Sequence, residues 1–169
     1  MSKVLIMDTS ILCVWLQIPG KATLGEGKDS WDYERVNQKI EAEIAENSIL
    51  VLPLASIIET GNHIAQSAGD PYNLALSFAE LIRKTANSES PWAAFTVQSD
   101  LWSAEKLNDL ANNWPMLASQ RLSLGDATIK DVAEYYAQQK LTVEIFTVDK
   151  GLKAYEPIAV PAITPRRRK

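Results

Sequence analysis

The sequence is poor in cysteine, glycine and proline, and it has no long apolar stretch. Among its 169 residues there is one cysteine, which excludes an internal disulfide and a metal centre built from several cysteines. Seven glycines and eight prolines are too few for a collagen-like or low-complexity chain. The longest apolar run, around residues 49–58, is interrupted by Pro53 and Ser56, and a membrane helix needs about 20 apolar residues. Residues 1–3 lead into the first apolar run without a signal-peptide cleavage site, so we expect a cytoplasmic protein with no membrane partner.

The chain is acidic except at its C-terminus. It has 17 Lys and Arg residues against 21 Asp and Glu residues, for a net charge of −4. Four of those basic residues form the segment 166–169, so residues 1–165 carry 13 bases against 21 acids. A body this acidic repels polyanions, and binding of nucleic acid would therefore require cations or a local basic patch.

Short apolar runs alternate with amphipathic helical patterns along the whole chain. Strands are predicted at residues 3–7, 49–52 and 143–148, with further candidates at 93–97 and 158–160. Helices are predicted at residues 10–17, 31–46, 54–68, 71–85, 99–112 and 126–139. The alternation predicts one α/β domain over residues 1–165, a three-layer α/β/α sandwich with a mainly parallel sheet of four to five strands. The residues 166–169 would form a basic tail, which either contacts RNA phosphates or remains solvated.

Four acidic residues are placed to meet at one edge of this sheet. Asp8 and Asp149 each follow a predicted strand, Asp126 begins a helix, and Glu59 lies in the helix after the second strand. Right-handed crossovers bring the carboxyl ends of parallel strands to one edge, where ligand sites form. Four clustered carboxylates repel one another unless they are protonated or share a cation, and oxygen ligands without cysteine favour Mg²⁺ or Mn²⁺. We therefore predict a metal site at these four residues.

Helical periodicity separates Asp126 from the nearby Asp131. Asp126 lies on the same stripe as Ile129 and Ala133, at the start of a buried helix face. Asp131 is about 140° away around that helix and should face solvent. Asp126 is therefore a strong candidate ligand and Asp131 a weak one.

A few basic residues are candidates for contacts with a phosphate. His63, one turn after Glu59, either touches substrate phosphate or pairs with that glutamate. Five lysines near loops are further candidates: Lys21, Lys28, Lys130, Lys150 and Lys153.

The segments around the four acids resemble the motifs of the PIN-domain nucleases. Residues 4–10 (VLIMDTS) look like the opening strand and D-T-[SN] motif of that family, and residues 52–59 are similar to its Pro-then-Glu helix. Residues 124–129 (LGDATI) resemble its third acidic motif, and 145–149 (IFTVD) its closing strand with T-x-D. The order and approximate spacing of the four motifs agree over nearly the whole chain.

The resemblance implies a function for the predicted acidic cluster. The family includes the VapC-type toxins of toxin–antitoxin pairs, which are Mg²⁺-dependent ribonucleases and are often dimeric. It implies phosphodiester hydrolysis with Mg²⁺ or Mn²⁺ that leaves a 5′-phosphate and a 3′-hydroxyl, and RNA, an antitoxin-like protein and a second copy of the chain as partners. The implied catalytic and metal-binding residues are Asp8, Glu59, Asp126 and Asp149. Ser10 and Thr147 would be hydroxyls that hold these carboxylates in place.

Two other functions remain open. A haloacid-dehalogenase-like phosphatase also begins with an Asp after its first strand, and Gly125-Asp126 followed by Asp131 imitates its closing element. That chemistry needs a second Asp two residues after the first as a general acid, and position 10 is Ser. The other alternative is a PIN-like module that binds RNA or protein without cleaving, for which the presence of all four acids gives no support.

Overall fold

The computed structural model describes residues 2–158, which form a small parallel sheet with helices packed against it. The strands are β1 (Lys3–Met7), β2 (Ile49–Val51) and β3 (Thr142–Phe146). The α-helices are α1 (Thr9–Trp15), α2 (Tyr33–Ala45), α3 (Leu54–Ala65), α4 (Pro71–Ala86), α5 (Ala104–Ser119), α6 (Leu124–Gln138) and α7 (Lys150–Lys153). Two 3₁₀ segments lie at Gly27–Asp29 and Phe95–Trp102. The predicted mixed α/β class is confirmed.

The three strands run parallel in the order β2-β1-β3. Ile6, near the end of the central strand, is in register with Val51 on one side and Ile145 on the other. All three strands therefore end at the same edge of the sheet. The chain segments that leave this edge carry the residues predicted to form a site.

The prediction of a four- to five-stranded sheet is wrong for the residues that the structure describes, which contain three strands. Immediately before the predicted strand 93–97, Trp92 forms an isolated parallel bridge with Leu50. The chain then turns into a 3₁₀ segment, where Gln98 Nε2 donates to the carbonyl of Leu52 at 3.1 Å. This side-chain bond holds the segment beside β2 without adding a strand. Of the predicted strand 158–160, Ile158 has no regular structure, and residues 159–169, including the basic tail, lie outside the described part.

The sheet has an apolar cluster on each face because side chains alternate along β1. Leu5 and Met7 are buried with residues of α1 and α2, whereas Val4 and Ile6 are buried with residues of α6. Helices therefore cover both faces of the sheet. Full burial of each such Leu or Ile side chain contributes about 1.5–3 kcal/mol to stability.

Three predicted helix starts differ from the structure because a neighbouring residue caps the helix instead. The helix predicted at 31–46 begins after its cap Asp32, the one predicted at 99–112 begins after its cap Ser103, and the one predicted at 126–139 begins after its cap Ser123. In each case the capping oxygen accepts the backbone N–H three residues later, which satisfies one of the unpaired donors of the first turn.

Proline was also a misleading signal in α5. The helix predicted at 99–112 stops before Pro115, but α5 continues through this proline to Ser119. Pro115 cannot donate to the carbonyl of Ala111, four residues earlier, and Ala111 is exposed, so water can satisfy that carbonyl.

Within residues 2–158, none of the helices combines the length and the apolar character needed to cross a membrane.

Candidate active site

A cleft of about 290 Å³ at the carboxyl edge of the sheet brings the four predicted acidic residues together. Its walls include Asp8, Glu59, Asp126 and Asp149, which come from four separate segments of the chain. The other lining residues are Thr9, Ser10, Cys13, Lys21, Leu24, His63 and Ser123. A larger cleft of about 420 Å³ between α5 and α6 contains Asp131 and none of the four acids.

Asp8 is held at the base of this cleft by two hydroxyl groups. It is the first residue after β1 and caps the N-terminus of α1, and its side chain is buried. Its Oδ2 accepts hydrogen bonds from Ser10 Oγ at 2.5 Å and from Thr147 Oγ1 at 2.7 Å. Because Thr147 follows β3 and Asp8 follows β1, this last bond joins the ends of two neighbouring strands.

Glu59 reaches the cleft from α3. Its Oε2 accepts a hydrogen bond from Thr9 Oγ1 at 3.0 Å. Its Oε1 lies against the backbone of Gly125 in α6, where any Cβ atom would overlap with it. A glycine at this position therefore leaves the space that the glutamate carboxylate occupies.

Asp126 forms a reciprocal capping interaction with Ser123 at the start of α6. Ser123 Oγ accepts the Asp126 N–H at 3.0 Å and donates to Asp126 Oδ2 at 2.8 Å. Burial raises the pKa of Asp126 above its ordinary value, and the negative charges of Asp8, Asp149 and Glu59 raise it further, against the bond from Ser123. Asp126 is thus close enough to the other three carboxylates to be repelled by them.

Asp149 caps the short helix α7 after β3. Its Oδ1 accepts the N–H groups of Gly151 at 2.6 Å and Leu152 at 3.2 Å, and its own N–H donates to Thr147 Oγ1 at 3.0 Å. Thr147 therefore donates to one acid of the cleft and accepts from the backbone of another.

The four carboxylates share a hydrogen-bonding pattern. In each, one oxygen is held by a hydroxyl or a backbone N–H, whereas the other accepts no hydrogen bond from residues 2–158. The oxygens without such bonds are Asp8 Oδ1, Glu59 Oε1, Asp126 Oδ1 and Asp149 Oδ2. Mg²⁺ and Mn²⁺ prefer carboxylate oxygens as ligands, and hydrogen bonds to the protein orient such ligands. The chemistry of the cleft therefore fits such a cation.

The four carboxylates are not yet arranged as a complete set of metal ligands. In the part of the chain that the structure describes, no three His, Cys, Asp or Glu side chains are already grouped to hold a metal ion. A cation in the cleft would therefore have to draw the carboxylates closer together, which also relieves their mutual repulsion.

Three groups that support the acids were not predicted as site residues. Thr9 donates to Glu59, Ser123 donates to Asp126, and Gly125 makes room for Glu59. Thr9 and Gly125 are sequence neighbours of the predicted ligands Asp8 and Asp126. This adjacency is the signal from which their role in the site could have been predicted. The partner that each contacts depends on packing between distant segments.

The remaining lining residues differ in their electrostatics. Burial lowers the pKa of His63 and Lys21 lowers it further, against Glu59, yet no ion pair joins His63 to Glu59 among residues 2–158. Burial raises the pKa of the Cys13 thiol to about 11, so this side chain is a protonated, buried thiol and not a nucleophile at neutral pH.

Asp131 does not line this cleft, but its side chain is only 41% exposed and lines another cleft, so, contrary to the prediction from its helical phase, it is not turned fully to solvent. It lies next to Lys130, at 3.7 Å, in the cleft between α5 and α6.

Comparisons of the chain with models of known protein families, with curated proteins and with solved structures find no match.

Proposed function

We propose that the protein is a divalent-metal-dependent ribonuclease of the PIN type, with its active site in the acidic cleft. The observation that carries this proposal is the hydrogen-bonding pattern of Asp8, Glu59, Asp126 and Asp149. Each carboxylate has one oxygen anchored by the protein and one oxygen without a protein partner among residues 2–158. This is the arrangement expected of ligands oriented in advance for a cation.

The protein groups have separate roles in the proposed reaction. Asp8 and Asp126 would be direct ligands of the cation, and Asp149 would be a further ligand. A divalent cation would supply positive charge for the scissile phosphate and would lower the pKa of the attacking water. Glu59, whose Oε1 has no hydrogen-bond partner among residues 2–158, binds the cation or orients that water. The oxygen of the water forms a bond to phosphorus and the bond from phosphorus to the 3′ oxygen breaks; the proton lost by the water is returned to the 3′ oxygen, so the products carry a 5′-phosphate and a 3′-hydroxyl.

The geometry disfavours the phosphatase alternative. The residue at position 10 is Ser, whose hydroxyl donates to Asp8, so the general acid of that chemistry is missing. Asp131, which would complete the closing acidic element of such a phosphatase, lines a different cleft.

The proposal is tested by RNA cleavage with two matched aspartate variants. The purified protein is incubated with a structured RNA and millimolar Mg²⁺ or Mn²⁺, with and without EDTA. Asp8→Asn should abolish cleavage because it removes a ligand, whereas Asp131→Asn, an acid on α6 outside the site, should leave it unchanged. Mapping of the product ends should give 5′-phosphates.

Two results would contradict the proposal. Equal cleavage by the wild type and by Asp8→Asn would indicate a contaminating ribonuclease. No cleavage of RNA by the wild type with either metal would remove the assigned activity.

A further inference from the structure

Lys21 places a positive charge without an ion-pair partner among residues 2–158 in the acidic cleft. Its side chain is half-buried and lines the cleft together with the four carboxylates. Within residues 2–158 its ammonium group forms no ion pair and no hydrogen bond, although carboxylates line the same cleft. By contrast, Lys3, Lys39 and Lys153 each form an ion pair with a glutamate. An unpaired lysine at an acidic site is available to an anion that arrives with the ligand.

The loop between α1 and α2 holds Lys21 at this position from both sides. Before it, Ile18 is buried in the core and its carbonyl accepts the Lys21 N–H at 2.9 Å. After it, Leu24 and Trp31 exchange two backbone hydrogen bonds of 2.9 and 2.7 Å. Trp31 in turn packs edge-on against Phe146 of β3, with 5.1 Å between the ring centroids. The loop backbone on each side of Lys21 is thus tied to the core.

A lysine in this cleft would reduce the repulsion between the four carboxylates and an incoming phosphate. Four carboxylates repel a phosphodiester, and a bound divalent cation offsets only part of their charge. A second cationic group at the rim lowers the cost of bringing a phosphate next to the acids. Lysine ammonium groups serve this purpose as compact point charges.

We propose that Lys21 binds a phosphate of the RNA substrate beside the acidic residues, which makes it a substrate-binding residue of this site. The inference rests on the proposed function and adds a specific contact to it.

The salt dependence of RNA binding tests this contact independently of cleavage. Binding of a fluorescein-labelled single-stranded RNA is measured by anisotropy over a range of KCl concentrations, with millimolar Ca²⁺ in place of Mg²⁺, and a gel verifies that the RNA stays intact. Each phosphate contact on single-stranded nucleic acid contributes about 0.7 to the slope of log Kd against log salt. Lys21→Gln should reduce this slope by about 0.7 and weaken binding at low salt about tenfold. Lys21→Arg should restore both quantities.

The structure places Lys28, a candidate for a phosphate contact in the sequence, outside the cleft: it is exposed in the same loop and does not line the cleft. Lys28→Gln is therefore the matched control. It should leave the slope unchanged. In cleavage assays, Lys21→Gln should raise KM with kcat nearly unchanged, since the contact is made before and during the reaction.

The outcomes separate this inference from the proposed function. Wild-type binding with the same slope in Lys21→Gln, or an equal loss of slope in Lys28→Gln, overturns the assignment of Lys21 and leaves the nuclease proposal standing. Absence of RNA binding by the wild type overturns both. Both are supported if Asp8→Asn abolishes cleavage and Lys21→Gln reduces the slope of log Kd against log salt as expected.

Discussion

The backbone of Gly125 lies directly against the carboxylate of Glu59, and a methyl group at position 125 would occupy the place of Glu59 Oε1. The contact joins α6 to α3, which are the elements that carry Asp126 and Glu59. The conformation of Glu59, a proposed catalytic residue, therefore depends on the absence of a side chain at position 125.

Gly125→Ala should therefore reduce activity without destabilising the fold. The new methyl group displaces only the flexible end of Glu59, and alanine favours the helix by up to about 1 kcal/mol over glycine. We expect unfolding to require at least as much denaturant as in the wild type and RNA cleavage to fall by at least about tenfold. Gly61→Ala is the control, because a Cβ atom at Gly61 in α3 has nothing within 4 Å. If both alanine variants cleave as fast as the wild type, the position of Glu59 does not matter for the activity.

Thr147→Val should weaken metal binding because Asp8 loses a hydroxyl donor at 2.7 Å. Removal of a group that orients a ligand typically costs about 10–100-fold in metal affinity or activity. Mn²⁺ titration followed by cleavage rate or by isothermal calorimetry measures this loss. Thr147→Ser retains the hydroxyl and should recover most of the affinity, whereas a serine variant as impaired as valine would point to lost packing instead.

Asp126→Asn should stabilise the metal-free protein and remove its response to metal. The folded-state pKa of Asp126 is raised, so its carboxylate favours folding when protonated and opposes folding once it ionises at higher pH. At neutral pH the neutral amide should raise the Tm by about 2–4 °C. For the wild type, Mn²⁺ at ten times its Kd should raise the Tm by about 3–5 °C, and in Asp126→Asn this shift should be much smaller. Melting curves of the wild type that do not respond to Mn²⁺ at tens of millimolar would argue against a metal site.

A second charge cluster predicts how acid affects stability. Glu43 in α2 has a side chain only 7% exposed, and it accepts hydrogen bonds from Lys39 Nζ at 2.7 Å and Ser48 Oγ at 2.7 Å as well as from Lys3. Burial alone would raise its pKa, but the bonds from Lys3, Lys39 and Ser48 outweigh burial and lower the pKa to about 2. Its contribution to stability is therefore present above pH 4.5, its ordinary value, and is lost as the pH falls toward 2.

Glu43→Gln should accordingly reduce the free energy of unfolding at pH 7 by about 2–3 kcal/mol. Urea unfolding at several pH values should show the gap to the wild type closing between pH 4.5 and 2. Glu46→Gln, at an exposed glutamate just beyond the end of the same helix, should change stability by less than about 0.5 kcal/mol at any of these pH values. A gap that stays constant down to pH 2 would mean that Glu43 is not the titrating group.

Local patterns were sufficient for the elements whose own residues determine them. The continuous apolar run of β1 and the following Asp8 predicted a buried strand with an acid at its end. The helix predicted at 71–85 likewise begins at Pro71, with Asp70 as its cap. At α6, the segment contains serine, glycine and aspartate within four residues, each a plausible cap, so sequence alone could not choose Ser123.

The size of the sheet and the contacts inside the cleft depend on packing between distant segments. The run 93–97 has the composition of a strand, but Gln98 satisfies the carbonyl of Leu52 that a longer ladder would have used, and the chain turns away. The bond between Thr147 and Asp8 likewise exists because β3 lies beside β1, which no periodicity within either strand encodes.

The central position of β1 has a consequence for synthesis on the ribosome. Among residues 2–158, the first strand, β1, pairs on one side with the last strand, β3, and the bond between Asp8 and Thr147 spans 139 residues of chain. While the nascent polypeptide lacks Thr142–Phe146, one edge of β1 has no strand beside it, and Asp149 cannot join the other three acids. The four acids would therefore be brought into one cleft only after Thr142–Phe146 has left the exit tunnel and paired with β1.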